Sequence, residues 1–382
     1  MAQTSNVVIC KNRVEIDGVD VGQFETLSLS AKRVSVGTTG IMTLPAYGIG
    51  VTEALGGGAT QQSTVSSGSA KRRVRSKVEY DRTIKIGAKV EIFCWYESPQ
   101  FDEPLKVFDT VKVFSGFIEH IAEGFPVKFY LRDATFILKF GRIEKPFTEN
   151  APLSTIIGKC IDVAKEAYSK FYFESGFYAP VEFHYDTASK GLQVDDEGVA
   201  FNNFAAGRTP YQVIEYLARE LMMYAGCTVD NVFFFGYRGT KTVEPTAQLS
   251  TKTNIINRDI ISQDSQFVDY EVVVTSTDKE GKKVTGRAGS AGGIQIRKYV
   301  KPVGKLDCTQ FAKDLLSSIE GVHNEGNVTL LLYPKVEWLD VVDYEDTIFA
   351  LSAQFFVKDY TFTANDKGYY QKLSVTDKVF ML

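Results

Sequence analysis

The side chains of this 382-residue sequence that could do chemistry are three histidines, five cysteines, scattered carboxylates and one basic run. His120, His184 and His323 have no cysteine and no second histidine within five positions, so HExxH and CxxC metal spacings are absent. Cys10, Cys94, Cys160, Cys227 and Cys308 form no close pair. Their odd number and wide spacing argue against a disulfide framework or a zinc site, and predict reduced, mostly buried thiols. No GxSxG supplies a nucleophile elbow. Gly56-Gly57-Gly58 lacks the Gly-Lys-Ser/Thr and the preceding strand of a phosphate-binding loop. Asp195-Asp196-Glu197 lacks calcium-loop spacing and reads as a solvated acidic loop. Among 47 acidic residues, no pair stands out as the two carboxylates a glycosidase needs. The expectation is a chain that is not an enzyme, with no catalytic residue, no metal ligand and no cofactor.

Two charged groups remain. Lys71, Arg72, Arg73, Arg75 and Lys77 form a basic run suited to lining a channel or meeting an acidic partner. Its ordinary reading is a solvated strand entry beside a polar loop, and no helix-turn-helix accompanies it to read DNA sequence. Asp340, Asp343, Glu345 and Asp346 are expected to project outward from a hairpin, where screening or partner contact would occupy them.

The elements that must position these residues are mostly strands. Val14-Glu15-Ile16 runs into Asp17-Gly18, a hairpin signal, and an extended pattern resumes from Phe24 to Val36. Residues 37–77 are rich in Gly, Ser, Thr and Ala until the basic run, and predict a long inserted loop. Strands follow over 89–95, 111–118 and 126–132, the last with Val127, Phe129 and Leu131 on one face. Leu153, Ile156, Ile157, Cys160, Ile161 and Ala164 trace the apolar stripe of a helix. Thr209-Pro210 starts a second helix, with Val213, Ile214, Leu217, Leu221 and Met222 on its inner face and Gly226 as its stop. Strands are predicted over 229–237, 268–275 and 294–300, the last two separated by an exposed loop. A helix over 308–323 precedes a closing β unit in which Asn365-Asp366-Lys367-Gly368 turns the final hairpin. The organisation is thus a first β-barrel domain over 1–145, a middle α+β domain over 146–245 and a second β-barrel domain with one helix over 246–382. The fold class is mainly β with α+β: two small antiparallel β-barrel-like domains, each closing its own edges, flanking the middle domain.

Composition agrees with a globular chain of several domains: 44% hydrophobic, 24% charged, and 13% aromatic with 27 Phe and 19 Tyr. That aromatic excess suits pleated surfaces and interfaces. A net charge of −4 gives no bulk attraction to nucleic acid or anionic membrane. No stretch approaches the apolar length of a membrane span, and the first residues lack a signal-peptide pattern, so folding in a cytoplasm is expected.

Four segments resemble the hub proteins of phage tails and related injection machines. Ile86-Gly87-Ala88-Lys89-Val90-Glu91-Ile92 looks like a strand entering the first barrel's core. Val113-Phe114-Ser115-Gly116-Phe117-Ile118-Glu119 is similar to the family's F-x-G-x-I strand. Phe129-Tyr130-Leu131-Arg132-Asp133-Ala134 carries the Asp that often follows, and Phe356–Tyr360 through Gly368–Leu373 looks like the final hairpin of the second barrel. The resemblance implies a homotrimer whose paired barrels form a ring of approximate sixfold symmetry. Such a ring adapts a hexameric tail tube to a trimeric spike. It implies as partners a tail tube protein, a spike or tail-tip protein and other baseplate proteins, with DNA only as passing cargo. The location would be a virion tail or injection particle, made in the bacterial host cytoplasm. The alternative is a β-rich adhesion module recognising a cell-surface ligand, whose exposed aromatic groove would have to draw on Trp95 and Trp338, the two tryptophans present.

Overall fold

A computed structural model describes residues 9–32, 35–45, 84–98, 105–106, 109–122, 126–145, 147, 151–175, 184–186, 190, 192–193, 205–221, 223–238, 243–264, 268–277, 282–299, 308–332 and 335–377. The first segment contains β1 (Ile9–Ile16), β2 (Val19–Gly22), β3 (Thr26–Ala31), β4 (Thr39–Leu44), β5 (Lys89–Ser98), β6 (Leu105–Lys106), β7 (Val111–Ala122) and β8 (Val127–Asp133). Asp17 and Gly18 turn β1 into β2 with φ of 50° and 75°, the left-handed pair a tight hairpin needs. The expected loop does not begin at 37. Thr39–Leu44 is a central strand, paired on one side with β3 and on the other with β8, with Met42 and Leu44 fully buried. Its Gly and Thr content hid it; Gly40 is there because a side chain would collide with Leu29 on the neighbouring strand.

A 3-10 helix, Ala134–Lys139, leads into the middle segment of α1 (Leu153–Ser175), β9 (His184–Tyr185), β10 (Leu192–Gln193), α2 (Pro210–Leu221), β11 (Tyr224–Cys227) and β12 (Val232–Arg238). All six stripe residues of α1 are buried. Thr209 caps α2: its Oγ1 accepts from the Gln212 N–H at 3.3 Å while Gln212 Oε1 accepts from the Thr209 N–H at 3.0 Å. Gly226 does not end this helix. It lies inside β11, where a Cβ would meet Phe234 at 2.8 Å and Trp338 at 2.9 Å. The run Phe233-Phe234-Phe235 on β12 is apolar throughout because both faces of this strand are covered. Phe233 and Phe235 join the core around α1 and α2, and Phe234 joins the core of the large sheet.

The last segment holds β13 (Ala247–Ser250), β14 (Ile255–Asp264), β15 (Tyr270–Thr277), β16 (Lys283–Gly289), β17 (Ile294–Tyr299), α3 (Cys308–Ile319), β18 (Val322–Leu331), β19 (Val341–Asp346), β20 (Leu351–Asn365) and β21 (Gly368–Thr376). The stretch expected as an exposed loop between β15 and β17 instead contains β16, an antiparallel partner of β15. Apart from Val284 its exposed side chains are polar, and its glycines let it lie close to α3, so no alternation marked it. α3 stops at Ile319, and His323 belongs to β18. β15–β17 and α3 form a small separate core around Val272, Val274, Ala312 and Leu315.

The fold is mainly β with an α+β middle. β20 decides how its parts connect, because at 15 residues it is too long for one partner. One edge pairs with β19 over Leu351–Phe356 and with β3 over Tyr360–Ala364; the other pairs with β21. The β3–β20 ladder fuses the first and last segments into one sheet running β14-β18-β21-β20-β3-β4-β8-β7-β5-β1-β2. Among the described residues the two β units share an edge through β3 and β20 and a common core.

Candidate functional site

The basic run Lys71, Arg72, Arg73, Arg75 and Lys77 lies outside the described residues, as do Gly56–Gly58 and Asp195–Glu197. The three histidines sit on three different strands: His120 on β7 beside Tyr130, His184 on β9 and His323, buried, on β18. Among the described residues no group of three His, Cys, Asp or Glu side chains is placed to hold a metal ion, and no helix is long and apolar enough to cross a membrane. The five cysteines form no disulfide, and four of them are buried.

What the structure brings together is a seam where the three segments meet. Asp133 ends β8 and is 3% exposed. Its Oδ2 accepts from the Thr38 N–H at 2.7 Å and the Cys227 N–H at 3.4 Å. Its Oδ1 accepts from the Thr135 N–H at 3.1 Å and the Thr135 hydroxyl at 2.5 Å. One carboxylate thus ties the residue entering β4, the 3-10 helix and β11. Burial pushes its carboxyl up, and the Thr135 and backbone donors oppose that rise. Gly37 (φ 79°) passes directly over this carboxylate, leaving no room for a Cβ.

On the other side of the seam, Lys190 reaches from the middle segment into the last one. Its Nζ lies 2.8 Å from Glu337 Oε2 and 2.8 Å from Asp340 Oδ1, and Lys335 Nζ lies 2.7 Å from Glu337 Oε1. Burial alone would lower the Lys190 ammonium, but Asp340 and Glu337 outweigh it and hold the pKa above the usual lysine range. Burial alone would raise the Glu337 carboxyl; the lysines on either side overcome this and hold it at about 2. Between the Asp133 and Lys190 sides lies a cleft of about 40 Å3, lined in part by Thr38, Ser115, Glu337 and Tyr360. That is room for a few waters at most.

Trp338 closes the seam. It is 4% exposed, packs edge-on to Tyr224 at 6.0 Å and against Phe234 at 5.8 Å, and donates its Nε1–H to the Lys358 carbonyl at 2.8 Å. A tryptophan so placed is not part of a surface groove for a glycan. Replacing it with alanine is expected to destabilise the protein by about 3–5 kcal/mol through lost burial and the cavity left behind; chemical denaturation measures this, and a loss under about 1 kcal/mol would show that the seam does not depend on it.

The acidic group of the last segment divides. Asp340 and Asp346 are buried, whereas Asp343 is exposed. Asp346 accepts from the N–H groups of Ile348 and Phe349 at 2.9 and 3.2 Å and is paired with Arg258. It fixes a turn whose Ile348 and Phe349 are 71% and 75% exposed. An Asp at the start of a turn is a readable signal for this role. Lys190, by contrast, sits in a polar stretch with no periodicity, and nothing local in the sequence marks it as an ion-pair partner.

No protein-family model matches the chain, and no curated protein matches its sequence. Solved structures match its fold. The chain is similar to the tail protein from Neisseria meningitidis MC58, with a TM-score of 0.55 at 13% identity over 96% of each chain. It is similar to the 43 kDa tail protein of prophage MuSo2 from Shewanella oneidensis (TM-score 0.53, 11% identity, 96% of this chain and 98% of that one). It is also similar to prophage tail protein gp18 from Listeria monocytogenes EGD-e (TM-score 0.52, 10% identity, 95% and 94%). The chain shares the fold of these phage tail proteins over 95–96% of its length.

Proposed function

We propose that this chain is a structural hub component of a phage-type tail or related injection machine. Three copies form a ring of six β units, which joins a hexameric tail tube on one side to a trimeric spike or tail tip on the other. Other baseplate proteins hold the ring, and DNA passes through it only as cargo. The protein is synthesised in the host cytoplasm and ends in the assembled particle. The observation that carries this reading is the extent of the fold likeness, which spans 96% of both this chain and the meningococcal tail protein. The seam supports it: ladder, carboxylate knot and ion cluster lock three segments into one body, as a load-transmitting adaptor requires.

Light scattering over a concentration series, with negative-stain imaging, tests the reading. The expected result is a particle of three times the 42.5 kDa chain mass, seen as threefold rings with a central hole. A monomer at every concentration, with tube and spike proteins absent or added, would overturn it.

A further inference from the structure

β15–β17 and α3 pack chiefly on one another, around Val272, Val274, Cys308, Ala312 and Leu315. Val272 and Val274 face α3, so the odd-numbered residues of β15 lie on the opposite face of this small sheet. Register places Arg287 and Arg297 on either side of Val273 there, and Lys283 beside Thr277. Glu271 accepts from Arg287 Nη1 and Gln295 Nε2, both at 2.8 Å, and Gln295 Oε1 accepts from Arg297 Nε at 2.7 Å. This chain of bonds orients both guanidiniums on the sheet. Lys283, Arg287 and Arg297 are exposed, and neither Lys283 nor Arg297 pairs with a carboxylate among the described residues. The face thus presents three cations around one carboxylate.

A face of opposite sign lies on β13, β19 and β20. Register sets Gln248, Asp343 and Gln354 in one row and Ser250, Glu345 and Ser352 in the next, lining a shallow trough with two carboxylates and no lysine or arginine. Asp343 is exposed and bonds to no other side chain among the described residues; Glu345 is half-buried and accepts only from Ser250 Oγ, at 3.5 Å. No ion pair joins this face to the basic one within the chain.

The four most exposed large apolar side chains among the described residues border these two faces. Ile294 and Tyr299, both 60% exposed, begin and end β17, and Ile348 and Phe349, at 71% and 75%, sit in the turn joining β19 to β20. Apolar exposure beside charge is the mark of a protein contact. A nucleic acid would gain little from those side chains, and Glu271 at the middle of the basic face repels phosphate.

We infer that the Lys283–Arg287–Arg297 face of one copy seats on the Asp343–Glu345 face of a second copy, as the head-to-tail contact of the ring. The inference rests on the trimer reading. A ring built from one kind of chain needs two different, complementary patches on each subunit, and these two faces match in charge and in their apolar borders.

The test uses the full chain and measures mass by light scattering, with thermal melting to verify the fold. K283E/R297E leaves the Arg287–Glu271 pair intact; it, and separately D343R/E345R, is expected to reduce the particle to one third of its mass. Combining the two doubles pairs the charges again with their signs exchanged and is expected to recover the trimer. On the unaltered chain, raising salt from about 0.1 M to about 1 M should move the monomer–trimer midpoint to several-fold higher concentration. The inference fails, and the trimer reading stands, if either folded double variant trimerises as the wild type does. It fails equally if a double variant keeps its trimer and loses only DNA, tube or spike binding, if the combined variant stays monomeric, or if salt leaves the midpoint unmoved. A wild type that never trimerises overturns the trimer reading itself.

Discussion

An Asp133→Ala variant is expected to melt about 4–6 °C below the wild type, a loss of about 3–5 kcal/mol. The carboxylate is buried and serves donors from three separate parts of the chain: Thr38, Thr135 and Cys227. Alanine removes the protein partner of these donors, each such orphan costs about 1–3 kcal/mol, and water in the adjoining cleft offsets part of that cost. The wild-type site carries an opposing cost, the burial of a charge, which keeps the net figure below the sum of the orphans. Asp133→Asn should fall between the two, because an amide of the same shape keeps one acceptor oxygen. Differential scanning calorimetry on the three proteins decides the matter. If alanine and asparagine lost equal, small amounts, the knot would be a packing feature and its hydrogen bonds would contribute little.

The position of Asp133 also shows how far the sequence can be read. Its strand is legible, because Val127, Phe129 and Leu131 alternate and the residue after Arg132 closes that pattern. What Asp133 holds is not legible, since Thr38 and Cys227 are 95 and 94 residues away along the chain. The same limit explains β4 and β16. Each is flanked by neighbours on both sides or pressed against a helix, so glycine and threonine serve there as well as the β-branched residues that periodicity detects. The apolar stripes of the helices are legible because their spacing repeats within the helix itself. The fusion of the two β units through β3 and β20 is not, since the length of a strand does not tell which partner it takes. Local chemistry similarly hides Lys190: one lysine in a polar stretch looks like any solvated lysine until the fold sets two carboxylates against it.

Lys190→Met is expected to produce a large, pH-dependent loss of stability. Lys190 is 14% exposed, and the side chains of Glu337 and Asp340 beside it are 23% and 6% exposed. At pH 7 methionine leaves Asp340 without its cation and Glu337 with Lys335 alone, which costs about 3–5 kcal/mol. Direction with pH follows from the two shifts. The Glu337 carboxyl is depressed from 4.5 to about 2, so its stabilisation is complete above about pH 4.5 and is lost as pH falls toward 2. The Lys190 ammonium is raised above 10.5, so its stabilisation is complete below that pH and is lost only in strong alkali. The wild-type seam is therefore firm from about pH 5 to 10. In the variant Glu337 keeps one cation of its two and takes up its proton at a higher pH than in the wild type, so the gap between variant and wild type should narrow as pH drops from 5 toward 3. Trp338 reports on this directly, being the residue next to Glu337 and buried in the same seam. Urea titrations followed by tryptophan emission at pH 7 and pH 3 give the two gaps. A gap that is the same at both would mean methionine merely packs worse than lysine. A gap that closes in acid would identify the Lys190–Glu337–Asp340 cluster as the electrostatic bond between the middle and last segments, a bond set where ordinary pH does not loosen it.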